Sequence, residues 1–67
     1  MANKNNAYTI YERIDYMRTV LETCGSFRRA EIQKKFEISR ATFFRDIDFM
    51  RNRLKLEILN KDGEYFL

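Results

Sequence analysis

Histidine is absent from this chain, cysteine occurs once, and apolar runs are only a few residues long. Each gap removes a class of function. Without His the usual general base and the commonest metal ligand are missing, and one Cys builds neither a disulfide framework nor a Cys-rich zinc site. No disulfide braces the fold, which points to a reducing compartment. Nothing approaches the roughly 18 to 20 apolar residues needed to cross a bilayer, and the N-terminus carries no secretory apolar region. The expectation is a soluble, cytoplasmic domain without membrane association. At 67 residues and 8.2 kDa there is room for one domain, near the lower end of what a single hydrophobic core holds folded unaided. No carboxylate pair has a spacing that suggests a shared site, so the chain reads as no enzyme, with no cofactor and no metal.

What is present is sufficient for a fold. The chain is 45% hydrophobic and 15% aromatic, enough for a core, so disorder is not the default. The formal net charge is only +3, but its placement is uneven. Residues 1–27 are neutral, residues 28–53 carry eight Lys/Arg against four acids, and residues 54–67 are net −1. The excess therefore lies in the middle of the chain. Clustered Arg on a small domain suits a polyanion, because each base that neutralises a phosphate releases a counterion. A solvated charged face is the plainer alternative.

Residues 1–7 are small or polar, without periodicity, and read as a disordered tail; residues 8–67 form the domain. Thr9 and Glu12 have capping-box spacing and open a first helix. Its apolar residues Ile10, Ile14, Met17, Leu21 and Cys24 follow steps of four and three and form one stripe. Gly25 supplies a left-handed cap, and Cys24, ending the stripe, reads as a packing residue rather than a reactive thiol. Ser26 and Phe27 make a short connection with Phe27 as anchor. A second helix runs from about Arg29 to Phe36, with Ile32 and Phe36 inward, and Ser39 caps a third running to about Arg53. On a wheel, Phe43, Ile47, Met50 and Leu54 share one sector, while Ala41, Arg45, Asp48 and Asn52 lie opposite. After Leu54 the period becomes alternating. Leu56, Ile58 and Asn60 alternate with Lys55, Glu57 and Leu59, Lys61-Asp62-Gly63 turns the chain, and Glu64 to Leu67 returns as a strand.

Two helices joined by a tight turn, the second bearing Arg and polar groups outward, make a helix-turn-helix; the hairpin after it makes a winged helix. The expected fold is mainly α with a small β-hairpin, a winged helix-turn-helix of three helices plus a C-terminal hairpin wing.

The segment Phe36-Glu37-Ile38-Ser39-Arg40-Ala41-Thr42-Phe43-Phe44-Arg45-Asp46-Ile47 resembles the F-G-V-S-x-x-T-I-x-R-D-L stretch of DeoR-type and WYL-associated bacterial transcriptional regulators. Asp62-Gly63-Glu64-Tyr65-Phe66-Leu67 is similar to the strand that ends their wing. The likeness covers roughly residues 8–67 and implies the N-terminal DNA-binding module of a larger regulator, a homodimer in its full-length form, with a ligand-sensing or oligomerising domain after the wing. Two positions depart from the pattern. Glu37 stands at the turn position usually held by Gly, so it either accepts a left-handed backbone or uses another turn. Gln33 replaces the small residue that normally faces the third helix.

Under this reading double-stranded DNA is the partner, with the third helix, about residues 40–53, in the major groove. Arg40 and Arg45 are the first candidates for contact, by gripping phosphate or forking onto guanine. Ser39 and Thr42 place hydroxyls near the helix N-terminus, where amides also favour phosphate, although Ser39 equally serves as a cap alone. Ala41 is small enough to approach a base edge or a thymine methyl. Phe44 stands at the border of the core sector, where rim packing is preferred over contact with DNA. Asp46 is expected to pair with a neighbouring Arg and hold it in place. Arg28 and Arg29 are candidate phosphate contacts, Lys34 and Lys35 are more simply solvated, and Lys61 at the wing tip could reach an adjacent groove. Phe49, off the core sector, and Tyr8, Tyr11 and Tyr16 suggest packing against the first helix, the wing, a second subunit or a further domain. They also support the alternative reading, a winged-helix protein-interaction module with little DNA binding.

Overall fold

The computed structural model describes residues 9–67; the tail at residues 1–7 and Tyr8 lie outside the described residues. Three helices and a small sheet follow in the order α1 (Ile10–Cys24), β1 (Ser26–Arg28), α2 (Arg29–Phe36), α3 (Arg40–Asn52), β2 (Leu59–Lys61) and β3 (Glu64–Phe66). The protein is mainly helical, with a three-stranded antiparallel sheet.

Local chemistry sets the helix ends. The Glu12 amide donates to Thr9 Oγ1 (3.1 Å) and the Thr9 amide to Glu12 Oε1 (2.8 Å), a complete capping box. Gly25 stops α1 at φ 91°, and its amide donates to the carbonyls of Val20 and Leu21. Glu37 takes the left-handed conformation itself (φ 54°, ψ 49°). The amides of Glu37 and Ile38 both donate to the Gln33 carbonyl, and the Gln33 side-chain amide reaches the Ile38 carbonyl at a long 3.5 Å. The two departures from the family-like pattern thus meet in one turn: Gln33 fastens the bend that Glu37 makes. Three residues, Glu37 to Ser39, separate α2 from α3, and Ser39 caps α3 by accepting from the Thr42 amide (3.1 Å).

The sheet corrects the expected connection at Ser26 and Phe27. These residues and Arg28 form β1, an outer strand, and the order is β1-β3-β2, so β3 is central. Phe27 lies opposite Tyr65, Ser26 opposite Phe66 and Arg28 opposite Glu64; on the other side Leu59 pairs with Phe66 and Lys61 with Glu64. The turn between β2 and β3 has positive φ at Asp62 (53°) and Gly63 (83°), the primed geometry whose twist suits a two-residue hairpin. The alternating segment is shorter as a strand than its pattern suggests. Residues 55–58 form no regular element, Lys55 takes φ 59°, and the strand starts only at Leu59. Burial still alternates, with Leu56 half-buried and Ile58 buried; here alternation records packing on the helices rather than strand pairing.

The core joins Ile14, Met17 and Leu21 of α1, Phe27 of β1, Ile32 and Phe36 of α2, Phe43, Ile47 and Met50 of α3, then Ile58 and Tyr65. Its aromatic centre is a cluster of three. Phe27 and Tyr65 stack at 5.9 Å, and Phe43 sets its ring at steep angles to both, at 6.2 and 5.1 Å, arrangements worth roughly 0.5 to 1.5 kcal/mol per pair beyond area burial. Cys24 is the exception to its stripe: it is exposed, because the chain leaves the helix at Gly25 before anything covers that last position. Phe49 is half-buried and packs against the core, with Tyr11 of α1 edge-on at 6.5 Å, which selects the first helix among its expected partners.

One buried acid crosses this core. Asp46 is 1% exposed and receives a two-pronged grip from Arg13 of α1, Nε to Oδ2 at 2.6 Å and Nη2 to Oδ1 at 3.1 Å. The expectation that Asp46 holds an arginine is met, by an arginine on the facing helix. Asp46→Ala should cost about 3 to 5 kcal/mol by removing the carboxylate that the Arg13 guanidinium grips, close to all that a core of this size supplies. The double replacement Arg13→Met with Asp46→Leu should recover most of the loss, read from urea unfolding monitored by circular dichroism. Glu37→Gly should act oppositely, relieving the left-handed residue and raising the melting temperature by several degrees, about 0.5 to 1 kcal/mol.

Candidate nucleic-acid interface

Because Phe43, Asp46, Ile47 and Met50 face inward, helical spacing turns Ala41, Arg45, Asp48 and Asn52 to the other side. Arg40, Ala41, Phe44 and Arg45 are all exposed over the first two turns. Among the described residues, the guanidinium groups of Arg40 and Arg45 enter none of the ion pairs, hydrogen bonds or ring contacts found. Other arginines are occupied. Arg13 holds Asp46, Arg18 lies 3.9 Å from Glu22, and Arg53 lies over the Phe49 ring at 5.8 Å. The only acid on the outward face, Asp48, sits further along α3, so the N-terminal half is its cationic end.

Ser39 and Thr42 are tied to each other. The Ser39 hydroxyl donates to Thr42 Oγ1 (3.1 Å) while accepting the Thr42 amide, so both hydroxyls already serve the cap. Phe44 combines the two roles considered for it: it rests edge-on against Phe43 at 5.6 Å and leaves 41% of its surface in solvent.

The register gathers Arg28, Arg29 and Lys61 at the turn end of the sheet, away from the α3 group in sequence but joined to one another in space. The Arg29 amide donates to the Gly63 carbonyl at 2.9 Å, tying the hairpin turn to the start of α2. Arg28 Nη2 reaches the Asp62 carbonyl (3.3 Å), and its Nη1 is 3.9 Å from Glu64, which also accepts from Ser26 Oγ at 2.8 Å. Arg28 is therefore partly neutralised. Arg29 is half-buried with its Nε lacking a hydrogen-bond partner, and Lys61 is exposed. Lys35 is less free than a solvated lysine, since its ammonium lies over the Tyr16 ring at 4.7 Å.

Two arginines that charge counting treats alike do structural work instead. Arg13 is one. The other is Arg51, whose Nε and Nη2 both donate to the Ile58 carbonyl, at 3.0 and 2.8 Å. With the Leu56 amide donating to the Met50 carbonyl, this binds the irregular segment to the end of α3 and positions the hairpin. Arg13 had a sequence signal, standing at the border of the α1 stripe; Arg51 had none, because its partner is a backbone carbonyl.

A groove of about 420 Å³ between α1, β1 and α2, lined by Tyr16, Val20, Cys24, Phe27 and Ile32 among others, takes no residue from α3. No metal-binding cluster of His, Cys, Asp or Glu occurs among the described residues, and no described helix is long and apolar enough to cross a membrane. No family model, curated protein or solved structure matches this chain.

Arg51→Ala should release residues 56–61 from α3. Their amides should exchange hydrogen about ten-fold or more faster, in line with roughly 1.5 to 3 kcal/mol for hydrogen bonds from a charged donor, while amides in the middle of α1 keep their protection.

Proposed function

We propose that this protein is a winged helix-turn-helix domain that binds double-stranded DNA, with α3 entering the major groove and the β2–β3 hairpin as the wing. The observation that carries the reading is the pair of unengaged arginines, Arg40 and Arg45, flanking the small Ala41 on the exposed start of α3. Cations at the exposed start of a helix suit one that enters a groove, where they position it on phosphate and reach base edges. Seating on α2 through a three-residue turn gives α3 the support such a helix needs.

In this mechanism Arg40 and Arg45 grip phosphate or fork onto guanine O6 and N7. Arg28, Arg29 and Lys61 form a second cationic group on the flanking backbone, weakened at Arg28 by Glu64. One helix buries too little surface for tight and specific binding, so the working form is a homodimer on a two-fold site. The resemblance to DeoR-type and WYL-associated regulators supports a bacterial transcriptional regulator whose DNA-reading end is this domain. A protein-interaction role is the second reading, favoured by Tyr11, which is 71% exposed beside Phe49.

Selection of duplexes from a random pool, followed by fluorescence anisotropy over a salt series, separates the two. The DNA reading expects affinity to fall steeply with salt. Arg40→Ala and Arg45→Ala should each weaken binding at least several-fold without lowering the melting temperature, and each lost phosphate contact should reduce the salt slope by about 1. No duplex binding at ~100 mM salt, or binding untouched by both substitutions, would refute it.

A further inference from the structure

Resting on the DNA reading, a base preference falls to the exposed apolar spot on α3: we propose that Phe44 and Ala41 together read the 5-methyl group of a thymine. Phe44 is an aromatic residue left 41% exposed on a helix whose other large apolar side chains, Phe43, Ile47, Phe49 and Met50, are buried or half-buried. It is held in place, since its ring edge rests on the buried Phe43 at 5.6 Å. Ala41 lies one turn earlier on the same side and is exposed, and residues three apart on a helix are neighbours. The result is an apolar spot bordered by Arg40, one turn before Phe44, and by Arg45, one turn after Ala41.

Cationic borders bring a polyanion to this spot, and its apolar floor then discriminates among bases. Neither side chain offers a donor or an acceptor. Set against guanine, adenine or cytosine, it would cover polar edge atoms without pairing them, which carries a desolvation cost. The thymine methyl is the one apolar group in the major groove. Four residues of helix advance about 6 Å, close to two base steps of about 3.4 Å, so the thymine should lie within about two steps of the position that Arg45 contacts.

The test uses the whole chain and the duplex it selects from a random pool. Each thymine is replaced singly by deoxyuridine, which removes the methyl and nothing else, and affinity is measured by anisotropy. One or two positions should lose about four-fold, the worth of one buried methylene-sized group, and the rest should change little. In Phe44→Ala that difference should shrink to near unity. Phe44→Gln, which replaces the ring with an amide, should behave likewise and serves if the alanine variant fails to fold, as judged by its melting curve. Salt-dependent duplex binding with no position sensitive to methyl removal overturns this proposal and leaves the DNA reading standing. So does a sensitivity that persists undiminished in a folded Phe44 variant. Failure to enrich any duplex overturns both.

Discussion

The grip of Arg13 on Asp46 is the contact on which the arrangement of this small domain turns. Apolar packing between α1 and α3 leaves some freedom of rotation, because Met17 and Met50 are flexible side chains that fill space in several ways. A guanidinium fork on a carboxylate is not tolerant, since both of its hydrogen bonds form only in one relative orientation. With Phe43, Asp46, Ile47 and Met50 inside, the far side of α3 faces outward, and that side carries Ala41 and Arg45. The charge that specifies the helix orientation therefore also decides which side chains reach solvent, although none of the exposed residues touches it.

Elsewhere the structure fastens its irregular pieces through backbone acceptors. Arg51 holds the Ile58 carbonyl, the Arg29 amide holds the Gly63 carbonyl, and Gln33 takes the amides of Glu37 and Ile38. Each tie joins a helix end to the segment next to it in space. In a domain with little core, these ties limit the motion of the hairpin and the α2–α3 turn at small cost in apolar volume. They also divide the arginines into two kinds: those spent on internal geometry and those that bind nothing among the described residues.

Helix ends and apolar stripes were legible in the sequence because their causes are local. Thr9 with Glu12, Gly25 and Ser39 act within one turn of themselves, and the Asp62-Gly63 tip needs only its own two residues. What escaped was non-local or too short to show a period. β1 is three residues long, and its pairing with β3 bridges nearly forty positions, so nothing in Ser26-Phe27-Arg28 alone announces a strand. The segment before β2 shows the opposite failure, where an alternating pattern arose from contact with helices and imitated a strand. Cys24 continued a periodic stripe past the point where partners exist to cover it. At the candidate interface, the outward position of Ala41 and Arg45 followed from periodicity, whereas the occupation of Arg28 and Arg51 depends on partners that only the folded chain brings near.

The central place of β3 in the sheet has a bearing on how the chain acquires its shape during synthesis. β3 is the last strand to be made, yet both other strands hydrogen-bond to it, and Tyr65 completes the aromatic cluster with Phe27 and Phe43. Until that residue leaves the ribosome the three helices are present without the piece that closes them, and β1 has no strand to pair with. Chains are made at about 5 to 20 residues per second, so the helices wait with two aromatic rings uncovered. Folding of this domain is thus bound to the emergence of Tyr65 rather than spread along the three helices before it.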